Sequence, residues 1–225
     1  MGYRCEVASI AGFVQQVAVS YLTHGYVFYS AGVVPEGKDP RLVDEKLVQR
    51  YGLEISKWTR ARRKREGIAS VSYLRHLRFF VLLATPGRHP FFEGEAKSIL
   101  DFRREPLKFA SYAISVKNGH PHVRIAEPTM RDLKAYFAEL STRRSRAQLE
   151  AALHSLPFEP WAPVRRQFFE LLRLVNRTRS IASLEPITAS CLRLRRKPVC
   201  VFSSEGDFES LRHSPRISAV RTPSP

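Results

Sequence analysis

The segment FASYAISVKNGHPHVRI, residues 109–125, decides the fold class. β-branched and aromatic residues dominate 109–116 and 122–125, a composition typical of strands. Asn118-Gly119 lies between them, and this pair favours a tight two-residue turn because both of its residues tolerate a positive φ. The segment therefore predicts a β-hairpin, and hairpins favour an antiparallel sheet.

The chain before this hairpin mixes helical and strand patterns. Strands are predicted over 26–34 and over 71–85, where the second stretch is either one long strand or a tight hairpin. Apolar spacing and cap residues predict helices over 6–22, 39–51 and 57–65. Together with the hairpin, these elements predict an α+β fold in which helices cover an antiparallel sheet.

The chain after the hairpin is mostly helical in pattern. Apolar residues at helical spacing predict three helices, and residues 192–202 could add a last strand. Residues 203–225 are rich in Ser and Pro and poor in apolar residues, so they predict a disordered tail. We therefore divide the chain into an α+β core domain over 1–145, a helical extension over 146–202 and this tail.

The charge balance indicates a polyanionic partner. Lys and Arg number 37 against 21 Asp and Glu in 225 residues, which gives a formal net charge of +16. Such a surplus favours DNA or RNA, with an anionic membrane surface as the next candidate and a merely soluble basic protein as the alternative. The sequence holds no run of about 18 apolar residues, so it predicts no membrane-spanning helix.

The cysteines and the N-terminus indicate a cytoplasmic protein. Cys5, Cys191 and Cys200 have no CxxC spacing and no nearby His, so we expect buried thiols in a reducing compartment. The first residues lack the basic and apolar regions of a signal peptide.

The helix KWTRARRKR, residues 57–65, is the sharpest functional feature. Its like charges repel one another, and phosphates would offset that repulsion. Trp58 is expected to anchor the helix on the core, with stacking on a base as the alternative. A solvated basic face without a ligand is the competing interpretation. The cations expected to contact phosphates are Lys57, Arg60, Arg62, Arg63, Lys64 and Arg65.

Two further basic clusters follow in the C-terminal part. On the helix that begins near 164, three arginines fall opposite the apolar face, within about 40° of one another. They could follow a phosphate backbone, or they could form an ordinary polar face. These arginines are Arg166, Arg173 and Arg177, and the other cluster is Arg193, Arg195, Arg196 and Lys197. Whether the three clusters share one surface does not follow from the sequence.

His120-Pro121-His122 resembles the paired histidines of HUH single-strand nucleases, in which a Tyr on a later helix is the nucleophile. The resemblance implies a divalent metal, Mg²⁺ or Mn²⁺, on His120 and His122, and a catalytic role for Tyr136. Tyr136 also borders an apolar stripe, which favours a core position. We find no other catalytic motif, so the favoured hypothesis assigns no catalytic residue, metal or cofactor and leaves an enzymatic activity open.

A broader resemblance covers three runs: GYVFYSAGVVPEGKDPR (25–41), KWTRARRKREG (57–67) and PFEPWAPVRRQFFELLRLVNRTR (157–179). They resemble an uncharacterised, multi-copy, mobile-element-like bacterial family, which implies no catalytic residues but favours work on nucleic acids. The first hypothesis is therefore a nucleic-acid-binding protein that uses Arg-rich helices on phosphates. An HUH-like single-strand endonuclease or transposase and a basic interaction protein without nucleic acid are the alternatives.

Overall fold

The structure, a computed structural model, describes residues 3–202, and of Lys57 it describes the backbone alone. The tail predicted over 203–225 lies outside the described residues. Helices and antiparallel sheets alternate along the chain, so the predicted α+β fold is confirmed. No helix within residues 3–202 has both the length and the apolar character needed to cross a membrane.

Four strands form the first sheet, with every neighbouring pair antiparallel. The stretch 71–85 is a tight hairpin rather than one long strand, because the chain reverses at Leu77, whose φ is +53°. The strands stand in the order β2-β3-β1-β4. Their bounds are β1 Phe28–Val33, β2 Val71–His76, β3 Phe79–Ala84 and β4 Leu100–Asp101.

Three strands form the second sheet: β5 (Leu107–Phe109), β6 (Tyr112–Lys117) and β7 (His120–Ile125). Asn118 and Gly119 have φ of 51° and 76°, which confirms the predicted turn between β6 and β7. The expected first strand over 109–116 is instead divided, because Ala110 and Ser111 also take positive φ and reverse the chain. Neither residue type signals that conformation, so the third strand was missed.

Of the N-terminal helices, α2 and α3 begin at their predicted caps. Helix α1 (Ile10–Gln15) continues as a π-helix over Gln16–Tyr21 and a 3-10 turn over Leu22–His24. It starts later than residue 6 because Val7 and Cys5 exchange backbone hydrogen bonds of 2.8 Å with Arg75 of β2. The next helices are α2 (Pro40–Tyr51), capped by Asp39, α3 (Lys57–Arg65), capped by Ser56, and the short α4 (Phe91–Gly94).

The C-terminal part contains α5 (Glu127–Arg143), α6 (Arg146–His154) and α7 (Ala162–Ile181). Gln167 of α7 accepts a hydrogen bond from the Ile125 backbone N–H (2.8 Å) and donates one to its carbonyl (3.0 Å). This side chain therefore fixes α7 against the last residue of β7.

The last strand expected within 192–202 is absent from the described residues, which hold only a 3-10 turn over Ala189–Cys191 and irregular chain there. The expectation was wrong: Pro198 in this segment has no N–H to donate to a strand ladder, and among the described residues no β-bridge joins residues 192–202 to either sheet. Arg193 instead holds this segment through hydrogen bonds to Glu159 (2.9 Å) and to the Phe158 carbonyl (2.8 Å).

One core joins residues from both sides of the boundary drawn at 145. Phe13 of α1, Ile125 of β7 and Phe168 of α7 are all buried in it. The division into a core domain and an extension stays a prediction. A second, smaller core lies between α2 and the first sheet, around Tyr51 and Tyr73.

A buried ion pair fixes α2 on the first sheet. The Arg75 guanidinium donates to both carboxylate oxygens of Asp44 at 2.8–3.0 Å, and the Tyr73 hydroxyl donates to the same carboxylate at 2.6 Å. Arg75 is only 2% exposed and also contacts Glu6 at 3.2 Å. This network fixes the first half of α2 on β2, and residues 52–56 then connect α2 to α3.

All three cysteines carry free thiols, as the sequence predicted. Cys5 is buried, and burial raises the pKa of its thiol to about 12, so it stays protonated and unreactive at neutral pH. Cys191 is half-buried and Cys200 is exposed, so the expectation that the other two are also buried was wrong.

Candidate nucleic-acid interface

Helix α3 stands on the protein surface and exposes its aromatic side chain. The Ser56 hydroxyl accepts from the Thr59 N–H at 3.1 Å and so starts the helix. None of the side chains described for α3 is fully buried, and Trp58 is 86% exposed. The expectation that Trp58 anchors α3 on the core was therefore wrong: Trp58 is the second residue of the helix and points into solvent. An indole in this position is free to stack on another ring.

The cations of α3 differ in how far they are neutralised. Arg62 lies 3.8 Å from Glu66, an exposed pair that offsets little charge. Arg63 lines a crevice with Glu45 and Glu54, so its charge faces two carboxylates. Arg65 is exposed and has no ion-pair partner within residues 3–202. The side chain of Lys57 lies outside the described part of the structure.

Arg60 and Lys64 occupy a different side of α3 and turn towards the end of α1. There they line a cleft together with His24, which is exposed on the 3-10 turn. Neither cation has an ion-pair partner among the described residues. The cleft therefore concentrates positive charge where α3 meets α1.

The second predicted cluster lies on the exposed side of α7, as expected: Arg166, Arg173 and Arg177 are all exposed. Arg173 also donates to the Phe169 carbonyl one turn earlier, at 3.2 Å. Arg173 and Arg177 follow Arg166 by 7 and 11 positions, which places them about 10 and 16 Å from it along the helix axis. The three guanidinium groups thus form a stripe along about three turns of α7.

Arg166 also belongs to a basic group that the sequence analysis did not single out. Partial burial lowers the pKa of His122, and the nearby charges of Lys117, Arg124 and Arg166 lower it further. Lys117 lies opposite His120 in the β6–β7 register, and His122 and Arg124 follow on alternate positions of β7. This placement could have been derived from the hairpin register, since alternate strand residues share a face.

The third cluster lies at the beginning of α7. Arg193 is committed to Glu159, and the Arg196 guanidinium stacks over the ring of Trp161, 4.1 Å from its centroid. Arg195 and Lys197 are exposed, with the Lys197 backbone N–H 3.4 Å from Glu159. The cluster therefore lies at the same end of α7 as Arg166, but Arg193 stabilises the fold rather than facing a ligand.

The end of α1 lies between the two basic regions. On one side His24 lines the cleft with Arg60, and on the other side Thr23 lines a groove with Lys117 and Arg103. Arg103 forms a forked pair with Asp101 at 2.6–3.0 Å and adds little net charge. We define the basic strip as Arg60, Lys64 and Arg65 of α3, His24 of the 3-10 turn, Lys117 and Arg124 of the second sheet, and Arg166 of α7. Arg124 also lies 3.5 Å from Glu127, in an exposed pair that offsets little of its charge.

The residues of the HUH-like hypothesis do not fit a divalent metal. His120 is exposed, whereas Nδ1 of His122 is buried and has no hydrogen-bond partner among the described residues. The neighbours of His122 are cations, which oppose the binding of a further positive charge. Within residues 3–202, no three His, Cys, Asp or Glu side chains form a group that could hold a metal ion.

Tyr136 does not take the core position that its apolar neighbours predicted. It is 53% exposed on α5, and its ring meets Phe137 of the same helix edge-on, with centroids 5.3 Å apart. The expectation of a core role was wrong, because the stripe buries Phe137 and leaves position 136 on its outer side.

No family model matches this chain, and no curated protein matches its sequence. The resemblance to a mobile-element-like bacterial family therefore stays a prediction, and the function has to be argued from the residues themselves.

Proposed function

We propose that this protein binds single-stranded or unpaired nucleic acid, with α3 as the main contact and the basic strip as the path of the phosphate backbone. The observation that carries the proposal is the side-chain arrangement of α3. Its exposed indole at Trp58 is followed within the same helix by cations that have no ion-pair partner among the described residues.

The exposed indole favours a partner with flat rings. An indole that is 86% exposed gives the isolated fold almost no burial energy, although apolar burial is the main stabilising term in folding. Stacking a base on an aromatic side chain contributes about 1–3 kcal/mol, and it requires a base that is not already stacked in a duplex. Trp58 therefore favours single strands over double strands.

The cations supply the part of the affinity that does not depend on sequence. Each Lys or Arg that meets a phosphate releases condensed counterions, so binding weakens as salt rises. Arg60, Lys64 and Arg65 would act first, close to Trp58, while Lys117 and Arg166 would contact the strand further along. The stripe of Arg173 and Arg177, together with Arg195, would extend this surface for a longer strand.

DNA and RNA offer the same phosphates and base faces, so both are candidate partners. A cytoplasmic location and an association with mobile elements agree with this proposal and stay predictions.

The test compares the binding of fluorescent oligo-dT, oligo-U and a duplex of equal length at 50 mM salt. Trp58→Ala should weaken single-strand binding by roughly 5- to 150-fold, the equivalent of one stacked base, and Trp58→Phe should restore part of it. Leu42→Ala is the matched control, because Leu42 is a large apolar side chain on α2 that is also 64% exposed.

Two outcomes would overturn the proposal. One is wild-type protein that binds no oligonucleotide at this low salt, which favours a basic interaction protein. The other is an equal effect of Trp58→Ala and Leu42→Ala on binding, which would remove the role of the indole.

A further inference from the structure

A cleft of about 300 Å³ separates α3 from the end of α1. One wall is the last part of α1 and the residues that follow it, the other wall is α3, and the ends of the β2–β3 hairpin close it. Its lining consists of Ser20, Tyr21, His24, Tyr26, Arg60, Ala61, Lys64, Ser70 and Thr85. Two of these, Ser20 and Tyr21, lie in the π-helical part of α1, a rare geometry that recurs at functional sites.

The cleft is positively charged and lacks counter-charge. Arg60 and Lys64 are four residues apart on α3, so their like charges face the same side and repel. None of the described lining residues is Asp or Glu. The cost of holding these cations together would be offset by an anion that enters the cleft.

The guanidinium of Arg60 is not committed to an acceptor in the described part of the fold. Its Nε is buried and has no hydrogen-bond partner in the part of the chain that the structure describes. A buried donor without an acceptor destabilises the fold, and more so when it is charged. Its charge acts on Tyr21, whose pKa is raised mainly by burial and is held back in part by Arg60.

Hydroxyl groups complete the lining. Thr85 Oγ1 accepts from the Ser70 backbone N–H at 2.8 Å, which leaves its own hydroxyl hydrogen to donate. His24 is exposed on the opposite wall and can donate from its ring. Cations, a hydroxyl donor and an imidazole together match the oxygen atoms of a phosphate group.

We propose that this cleft binds a phosphate monoester, in particular the terminal phosphate of a bound nucleic acid strand. The inference rests on the proposed nucleic-acid binding and adds the group that α3 recognises first. A monoester carries a charge of about −1.5 to −2 near pH 7, which balances Arg60 and Lys64, whereas a backbone diester carries only one. A strand that begins in the cleft can continue along α3 towards Trp58.

The experiment measures the affinity of 12-residue oligo-dT with a 5′-phosphate, with a 3′-phosphate and with hydroxyl ends. In parallel, thymidine 5′-monophosphate and thymidine are titrated by calorimetry. Wild-type protein should bind one phosphorylated end at least tenfold more tightly than the hydroxyl end, and should bind the nucleotide but not the nucleoside.

Arg60→Gln should abolish the advantage of the phosphorylated end, and Lys64→Gln, at an exposed position that leaves the fold intact, should reduce it. Arg62→Gln is the matched control, because it removes one arginine from the same helix but on the side that faces Glu66. This variant should still bind the phosphorylated end more tightly than the hydroxyl end, by the same factor as wild-type protein.

The outcomes separate the two proposals. Equal affinity for phosphate and hydroxyl ends, or an advantage that survives both cleft variants, overturns the phosphate site while strand binding stands. Nucleotide binding that depends on Arg60, without any oligonucleotide binding, supports the site and overturns the proposed function.

Discussion

Replacing Arg75 by Gln should destabilise the fold strongly without touching the basic strip. The substitution leaves the Asp44 carboxylate buried and without its cation, because all of the guanidinium contacts at 2.8–3.0 Å are lost. Breaking a buried ion pair by removing one partner costs about 3–5 kcal/mol. For a domain of this size each kcal/mol lowers Tm by about 2–4 °C, so we expect a fall of roughly 6–20 °C.

Urea unfolding and calorimetry of Arg75→Gln measure this loss, and Arg103→Gln is the control. Arg103 forms an equally short pair with Asp101, but it is exposed, so its replacement should cost no more than about 1 kcal/mol. The reasoning is refuted if the two variants lose similar stability. Replacing both members of the buried pair by apolar residues, Asp44→Leu with Arg75→Met, should recover part of the loss.

Two further predictions concern histidines whose pKa values are lowered in the folded protein. Arg166→Gln should raise the pKa of His122, measured by NMR titration, because it removes one of the charges that lower this pKa. The same variant should reduce the slope of log K against log salt for oligonucleotide binding by about 0.7. Folding lowers the pKa values of His122 and His89, so below about pH 6.5 the unfolded chain binds more protons than the folded protein does. The free energy of unfolding should therefore fall as the pH drops below about 6.5. It should level off once the pH is below the pKa values of the folded protein. Urea midpoints between pH 7.5 and 5 test this, and a His122→Gln variant that shows the full wild-type decline would contradict the contribution of His122.

Much of the fold follows from local sequence signals. Asn118-Gly119 requires a tight turn, Asp39-Pro40 and Ser56 begin helices at the observed residues, and Gly52 ends α2 in the left-handed conformation. These signals act over four or fewer residues, so the sequence displays them directly.

The elements that were missed depend on tertiary context. The turn at Ala110-Ser111 forms although neither residue favours a positive φ. The strand expected within 192–202 is replaced by irregular chain, which Arg193 holds to Glu159 and to the Phe158 carbonyl.

The candidate site shows the same division. The basic character of α3 is visible in its composition, whereas the exposure of Trp58 and the pairing of Arg193 with Glu159 depend on how the helices pack. The cleft beside α3 joins residues that follow α1 to Ser70 and Thr85, which flank the β2–β3 hairpin, and no local pattern connects them.

The salt dependence of single-strand binding tests the central claim most directly. In the triple variant Arg60→Gln, Lys64→Gln and Arg65→Gln, the slope of log K against log salt should fall by about 2, or about 0.7 for each lost phosphate contact, with stability unchanged or slightly higher. The control variant also loses three positive charges, but from exposed lysines outside the basic strip: Lys38, Lys46 and Lys97. Its slope should stay within about 0.5 of the wild-type slope. A triple variant of α3 that keeps the wild-type slope, or that changes it no more than this control does, would contradict the assignment of α3 as the nucleic-acid contact.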